Sequence, residues 1–331
     1  MMATPLFECL RRAWPAARMA ALIRPYGRGV IEGGPWFDQV IPCRDQSPLD
    51  LWRTGRAIRD FAPDLAVILP GSLRSALTAR LGGAGRIVGY RRGGRSPLLS
   101  DGPRPRRDAR GGFLPVPMVD YYLHLGRWMG LEVPPHPRPR LYVSDELARF
   151  GETYLAGRGV REGDTVIGLN PGAKFGSSKC WPPGHFARLA ELLQDRLAAR
   201  LLLLAGPGEQ AIAERIVAES RARIINTAAD AIDLGRLKPL VRRCNVLVTN
   251  DTGPRHYATA FDVPCVVMMG PTHPGWTGSN LERTRILVKA PPCAPCHRER
   301  CPTDHRCMTE ILPEEVLAAT ERLLEEFPRQ R

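Results

Sequence analysis

The sequence predicts an α/β protein built from two doubly wound, Rossmann-like domains. At 331 residues the chain is too long for one compact core and suits two domains. Segments with strand and helix patterns alternate along it, which is typical of parallel α/β architecture. The second half repeats the plan of the first. We therefore expect an N-terminal domain over residues 1–150 and a C-terminal domain over residues 151–331, facing each other across a cleft.

The first half begins with a helix rather than a strand. Thr4 and Pro5 predict its start, with Thr4 as the N-cap and Pro5 at the first helical position. Strands are predicted near residues 19–24 and 64–69, and helices over residues 72–81 and 119–129. Residues 86–110 form a Gly-, Pro- and Arg-rich loop with weak strand content.

The second half alternates regularly between apolar strands and amphipathic helices. Strands are predicted over residues 165–170, 200–205, 223–226, 245–250 and 264–270. Helices are predicted near residues 183–196, 209–220, 231–243, 254–261 and 313–327. In such domains ligands bind at the carboxyl ends of the strands, so the loops that follow the strands should carry the chemistry.

Composition and charge narrow the classes of function. The hydrophobic content of 44% is ordinary for a globular protein, and no apolar run approaches the ~20 residues that a membrane span requires. Arg11 and Arg12 interrupt any signal-peptide core, which makes the cytosol the default compartment. The net charge of +13 indicates an anionic partner, whether nucleic acid, a phosphorylated small molecule or an anionic membrane.

The loop from Asn250 to His256 follows an apolar strand and opens a helix. A helix N-terminus presents free N–H groups and partial positive charge to a phosphate, and Gly253 permits close approach of a ligand to the backbone. His256 is placed to donate a hydrogen bond to the same phosphate. The alternative is that Asp251 or Thr252 simply caps the helix.

Three further loops follow strands in the same way. The segment from Asn170 to Pro182 contains Lys174 and Lys179, which suit a diphosphate unless they are merely solvated. The turn from Gly206 to Glu209 matches a dinucleotide-binding pattern, an adenosine site with Glu209 at the ribose, or a plain tight turn. Arg74, after the strand near residue 69, can bind an anionic acceptor or point to water.

Two clusters lie outside these loops. The basic loop suggests a platform for phosphorylated lipid or membrane, although such loops are often only solvated; few aromatic residues interleave with its arginines, which disfavours nucleic acid. Its arginines are Arg86, Arg91, Arg92, Arg95, Arg104, Arg106, Arg107 and Arg110. Four cysteines, Cys293, Cys296, Cys301 and Cys307, either bind a structural zinc or remain unligated thiols.

These loops, in this order, resemble the lipopolysaccharide heptosyltransferases of glycosyltransferase family 9. The resemblance covers nearly the whole chain, and the blocks around residues 69, 172 and 250 are most similar to the members that add the second heptose of the inner core. The matching segments are Met2 to Leu6, Leu69 to Leu77, Asn170 to Gly176, Lys179 with Trp181 and Pro182, and Thr249 to Gly253 with His256.

The resemblance implies a GT-B fold and an inverting transfer that requires no metal cofactor. The donor would be ADP-L-glycero-β-D-manno-heptose, and the acceptor heptosyl-Kdo2-lipid A at the cytoplasmic face of the inner membrane. Lys174, Lys179, Asp251, Thr252, Gly253, His256 and Glu209 would bind the donor, with Lys179 stabilising the leaving ADP. Arg74, Arg91 and Arg92 would serve the acceptor, and the anionic membrane surface would be a peripheral partner.

Two departures from the family pattern carry expectations of their own. The family's general base is an aspartate in a Gly-Asp pair just before the Met-x-Thr-Pro segment, which here begins at Met2. We therefore expect the sequence to be truncated, its first domain to lack its first strand, and this form to be close to inactive. Neither Glu8 nor Asp38 matches the position of the base. Arg255 replaces a commonly apolar residue, and we expect little effect from it.

Two rival interpretations remain at this stage. A nicotinamide dehydrogenase would rest on the two glycines at 206 and 208 and would bind NAD or NADP. A basic nucleic-acid-binding protein would rest on net charge and would show steeply salt-dependent binding.

Overall fold

The computed structural model describes residues 1–44, 46–109 and 111–328. These residues form two compact units. The first unit contains residues 2–28 and 34–137. The second contains Met1, Gly29–Gly33 and the chain from Arg138 onward.

The first unit carries five α-helices and four short strands among the residues described. In chain order they are α1 (Thr4–Ala13), β1 (Ala20–Ile23), α2 (Arg28–Ile31, which runs into the second unit), β2 (Gln39–Pro42), α3 (Pro48–Phe61), β3 (Leu65–Ile68), α4 (Leu73–Leu81), β4 (Arg86–Gly89) and α5 (Met118–Trp128). Short 3₁₀ turns cover Pro25–Gly27 and Ser96–Leu98.

The strands of the first unit pair in two separate parallel sheets, β1 with β2 and β3 with β4. Its buried apolar residues likewise form small clusters, one around Leu6 and Leu123 and another around Ile68 and Ile87. Helix α1 begins one residue earlier than expected, because Ala3 occupies the N-cap position and Thr4 is buried within the helix. The predicted capping role of Thr4 is therefore wrong.

The second unit carries the remaining described helices and strands. In chain order they are α6 (Asp145–Ala156), β5 (Val166–Asn170), α7 (Pro183–Leu197), β6 (Arg200–Leu203), α8 (Gln210–Ala218), β7 (Ile224–Asn226), α9 (Leu237–Arg243), β8 (Val246–Asn250), α10 (Gly253–Ala260), β9 (Cys265–Met269), β10 (Thr284–Val288), α11 (Arg306–Thr309) and α12 (Pro313–Glu326). Short 3₁₀ turns cover Ser177–Lys179 and Pro274–Thr277.

The second unit is organised around one six-stranded parallel sheet in the order β10-β9-β8-β5-β6-β7. Strands β5, β8 and β9 are buried along their whole length, as expected of apolar strands covered on both faces. The chain moves outward from β5 in one direction through β6 and β7, then returns to the other side of β5 with β8. The sheet therefore has its topological switch point between β5 and β8, where such folds bind ligands.

The helix predicted over residues 231–243 is shorter in the structure. The Asp233 carboxylate accepts hydrogen bonds from the backbone N–H groups of Gly235 and Arg236 at 2.9 and 2.8 Å. This local turn competes with helical hydrogen bonding, so α9 begins only at Leu237.

Candidate active site

Two buried asparagines join the loops at the switch point. Asn170 ends β5 and donates from Nδ2 to Thr249 Oγ1 at 2.9 Å. Asn250 ends β8, donates to the carbonyl of Pro171 at 2.7 Å, and accepts from the backbone N–H of Trp181 at 3.0 Å. The loops predicted to bind a phosphate are therefore fixed to each other by side chains at the strand ends. Sequence reasoning assigned these asparagines no such role, although their positions at two strand ends were visible.

Asp251 is the centre of a buried charged cluster beside these asparagines. The residue is 7% exposed. Its Oδ2 lies 2.8 Å from Lys179 Nζ and 3.0 Å from Thr272 Oγ1. Lys179 Nζ also donates to the backbone carbonyl of Asp251 at 2.9 Å. The structure thus brings together Lys179 and Asp251, which lie 72 positions apart in the sequence.

Arg255 completes the same cluster from one turn into α10. It is 3% exposed, and its Nη1 donates to Asp251 Oδ1 at 2.7 Å. We expected little effect from Arg255, but it forms a buried ion pair with Asp251. The spacing of four residues between them at a helix start could have indicated this pair.

The charges of the cluster set its protonation states. Burial raises the pKa of Asp251, but Lys179 and Arg255 outweigh burial and lower that pKa to about 2. Burial, and then the charge of Arg255, lower the pKa of His256 to about 3. At neutral pH the cluster therefore holds two cations, one carboxylate and a neutral imidazole that can still donate one hydrogen bond.

The alternative that Asp251 or Thr252 merely caps α10 is wrong. Thr252 occupies the N-cap position with extended backbone, but in the described part of the chain its side chain makes no capping hydrogen bond. The Asp251 carboxylate is bound to Lys179, Arg255 and Thr272 instead. A Cβ at Gly253 would meet no atom nearer than 3.9 Å, so the backbone there is open to close approach.

The other predicted donor residues, Glu209 and Lys174, lie in the same unit and differ in exposure. Glu209 packs its carboxylate against Gly172 of the loop after β5 and accepts from the backbone N–H of Gly206 at 2.7 Å. Its carboxylate therefore links the loops after β5 and β6. Lys174 lies on the same loop as Lys179 but is exposed.

Residues 291–307, hereafter the Cys-rich segment, brace the turn that presents Lys179. All three polar groups of the buried Ser178 bind it: the N–H donates to the Glu299 carbonyl at 3.1 Å and Oγ to the Arg298 carbonyl at 2.5 Å. The Ser178 carbonyl accepts from His305 Nε2 at 2.6 Å. The position of Lys179 thus depends on a segment more than a hundred residues away in the sequence.

Three cysteines of this segment act on the fourth, Cys307, through their charges. Burial first, and then the charges of Cys301, Cys296 and Cys293, raise the pKa of Cys307 to about 11. Over residues 1–44, 46–109 and 111–328, no three His, Cys, Asp or Glu residues are grouped so as to hold a metal ion. Zinc at these cysteines stays a prediction, which elemental analysis of anaerobically purified protein will decide.

The predicted acceptor residues Arg74, Arg91 and Arg92 lie in the first unit. Arg74 is exposed near the start of α4, whose N-cap is Ser72. Arg92 packs over the ring of Phe113 at 4.3 Å and would lie 3.0 Å from a Cβ at Gly71, in the loop just before Arg74. The structure therefore brings Arg92 beside the loop that carries Arg74.

The rest of the basic loop is not uniformly solvated. Arg91 lies 3.4 Å from the Asp101 carboxylate, and Arg86 shares that carboxylate at 3.8 Å. Arg95 is fully buried, donating to the Tyr90 carbonyl at 2.9 Å and to the Pro70 carbonyl. Arg110 lies outside the described residues.

Over the residues that the structure describes, none of the helices combines the length and apolarity needed to cross a membrane.

Comparison with known proteins identifies the family. The model of glycosyltransferase family 9 (heptosyltransferase) matches residues 51–306. Lipopolysaccharide heptosyltransferase 2 of Escherichia coli (strain K12) is 27% identical over 98% of this chain and 94% of its own length. The solved structure of E. coli ADP-heptose lps heptosyltransferase II is similar, with 25% identity, a TM-score of 0.79, and coverage of 98% of this chain and 95% of that one.

A further solved structure supports the fold. The glycosyl transferase family 9 protein of Veillonella parvula DSM 2008 has a TM-score of 0.85 at 23% identity, covering 98% of this chain and 93% of that chain. The protein is thus a glycosyltransferase, and the expected GT-B fold is confirmed. The chain belongs to glycosyltransferase family 9. The family decides against the rival interpretation as a dehydrogenase.

Proposed function

We propose that this chain transfers L-glycero-D-manno-heptose from ADP-heptose to the heptosyl-Kdo2-lipid A inner core in lipopolysaccharide biosynthesis, with inversion and without a metal. The observation that carries the proposal is the pair of cations, the buried Arg255 and the mostly buried Lys179, around one carboxylate at the switch point of the sheet. The surplus positive charge suits a diphosphate. The similarity to relatives named lipopolysaccharide heptosyltransferase 2 supports the sugar and the acceptor.

The donor would lie on the loops after β5, β6 and β8. Lys179, the backbone at Gly253 and the neutral His256 would hold the diphosphate, with the N-terminus of α10 adding partial positive charge. Glu209 would accept hydrogen bonds from ribose hydroxyls, because its carboxylate already lies at the junction of two of these loops.

The chemistry then follows from charge. As the bond between the heptose and ADP breaks, negative charge develops on the diphosphate, and fixed cations stabilise it without the reorganisation that water would require. The acceptor hydroxyl attacks from the opposite face of the sugar, which inverts the anomeric centre, and its proton passes to a base. Asp38 is a poor candidate for that base, because hydrogen bonds from the Met19 N–H and Arg11 lower its pKa.

A titration tests the donor assignment. Purified protein should bind ADP-heptose and ADP in calorimetry, and should bind NAD and UDP-sugars far more weakly. Lys179→Ala should weaken ADP binding by about 1–3 kcal/mol, the scale of one charge-assisted contact. Lys289→Ala, which removes an exposed lysine paired with Glu315, is the matched control. Equal ADP affinity in the folded Lys179 variant and the wild type would reject the assignment.

The acceptor side of the proposal concerns the basic loop of the first unit. Arg74, Arg91 and Arg92 would engage the phosphorylated inner core, while the loop rests on the anionic cytoplasmic face of the inner membrane. The supporting observation is the position of Arg92 beside the loop that carries Arg74.

Vesicle binding tests this second assignment. Replacing Arg91 and Arg92 by alanine should reduce sedimentation with vesicles containing anionic lipid and leave ADP affinity intact. The double variant Arg188→Ala with Arg215→Ala, which removes two exposed arginines of the second unit, keeps the net charge matched. If both double variants lose vesicle binding equally, only net charge matters and the loop has no special role.

A further inference from the structure

Arg255 makes hydrogen bonds to two loops of the second unit, the one after β8 and the one after β9. From α10 its guanidinium donates to Asp251 Oδ1 at 2.7 Å. The same Nη1 donates to Thr277 Oγ1 at 2.8 Å, and Nη2 donates to the Thr277 carbonyl at 3.3 Å. Arg255 therefore joins the Asp251 carboxylate to the 3₁₀ turn that follows β9.

The two oxygens of Asp251 are divided between two cations. Oδ1 accepts from Arg255, and Oδ2 accepts from Lys179 and Thr272. Removing the only cation from a buried carboxylate is strongly unfavourable, because the remaining charge is desolvated and unpaired. With Arg255 in place, Asp251 keeps one ion partner even when Lys179 leaves it.

We infer that Arg255 is a positioning residue for the donor site: it holds Asp251 as a carboxylate in place, so that Lys179 can move its hydrogen bonds from Asp251 to the diphosphate. This inference rests on the proposed function. With an apolar residue at position 255, Lys179 and Asp251 would form a neutral ion pair with no second cation beside it. Binding the diphosphate through Lys179 would then require breaking that pair. Arg255 acts through Asp251 and not by touching the nucleotide.

The experiment compares ADP affinity, measured by calorimetry, in four proteins. They are the wild type, Arg255→Met, Arg255→Lys and the control Arg215→Met, which removes an exposed arginine paired at i,i+4 with Glu219. We expect Arg255→Met to bind ADP about tenfold or more weakly, Arg255→Lys to recover part of that loss, and the control to match the wild type.

Two readouts separate positioning from a general structural role. The affinity deficit of Arg255→Met should shrink as the pH is lowered. Loss of Arg255 removes one of the two charges that hold the pKa of Asp251 down, and protonation of Asp251 removes the unpaired charge. Among the described residues Lys179 is then the cation that faces Asp251, while His256 is neutral. In an Asp251→Asn background, adding Arg255→Met should change ADP affinity little, because the carboxylate that Arg255 holds is absent.

The outcomes are distinguishable. If the wild type does not bind ADP, the proposed function fails and this inference with it. If the wild type binds ADP and Arg255→Met binds it equally at every pH, this inference alone is overturned. If Arg255→Met does not fold, Arg255→Lys and the variants in the Asp251→Asn background test the inference instead. The inference is also overturned if removing Arg255 weakens ADP binding as much in the Asp251→Asn background as in the wild type.

Discussion

At the scale of single residues, Gly253 offers a substitution that separates folding from binding. It lies at the first position of α10, and a Cβ there would have open space around it. The contrast is Gly168 in β5, where a Cβ would lie 2.9 Å from Cys244 Sγ and from Leu247. An added methyl group is therefore tolerated by the protein at one position and not at the other.

We predict that Gly253→Ala keeps the thermal stability of the wild type, since alanine is the better helix former. Its ADP affinity should fall at least about tenfold, because the methyl group occupies the space that the diphosphate needs beside the backbone. Thermal unfolding and calorimetry measure the two effects on one sample. Undiminished ADP affinity would mean that the diphosphate does not approach Gly253.

Sequence reasoning succeeded where the chemistry is local and failed where it depends on distant pairing. Lys179 and Asp251 were selected from the loops that carry them, since a cation and a helix start after a strand are visible in sequence. Their direct contact could not be predicted from the sequence, because it requires β5 and β8 to be neighbours in the sheet. The burial of Arg255 was missed because an arginine is ordinarily solvent-exposed.

At the scale of elements, the same distinction holds. The fully buried strands β5, β8 and β9 were predicted within a residue or two, since buried parallel strands are largely apolar runs. Strands β2 and β10 and helices α2, α3, α6 and α11 were not predicted. Helix α3 has a clear start signal in Ser47, whose side chain accepts from the Asp50 N–H at 3.1 Å, together with a proline at Pro48.

At the scale of elements, we predict the effect of removing one hydrogen bond between the Cys-rich segment and the turn that carries Lys179. His305→Ala removes the hydrogen bond to the Ser178 carbonyl and should lower the stability of the second unit by about 1 kcal/mol. It should also weaken ADP binding several-fold, since the turn that carries Lys179 loses part of its support. His136→Ala, at an exposed histidine of the first unit, should change neither quantity. Full ADP affinity in a destabilised His305 variant would show that the brace does not reach the nucleotide.

At the scale of the whole molecule, the two units differ in how their strands are supported. Strands β5 and β8 each have a paired neighbour on both sides. Each strand of the first unit pairs with one other strand among the residues described, and β4 has in addition a single bridge between Val88 and Asp101. Among the residues described, the second unit also buries a large apolar cluster, whereas the clusters of the first unit are small.

We therefore predict uneven protection from hydrogen exchange. Amides of β5 and β8 should exchange orders of magnitude more slowly than those of β1 to β3, because local opening of a strand with few buried contacts costs less free energy. Hydrogen-exchange mass spectrometry resolves peptides from both units in a single experiment. Equal protection in the two units would show that they open together as one cooperative unit.

Gly176 has a consequence for how sequences of this kind can diverge. Its φ is +152°, and a Cβ there would lie 2.2 Å from the backbone carbonyl of Glu299, so a side chain would force the Cys-rich segment off the turn. A relative that carries the Cys-rich segment should keep glycine at this position. In a relative that has lost the segment, the clash with the Glu299 carbonyl is absent and only the positive φ favours glycine. The two features should accordingly be inherited together, and saturation mutagenesis at position 176 should yield a functional library containing glycine alone.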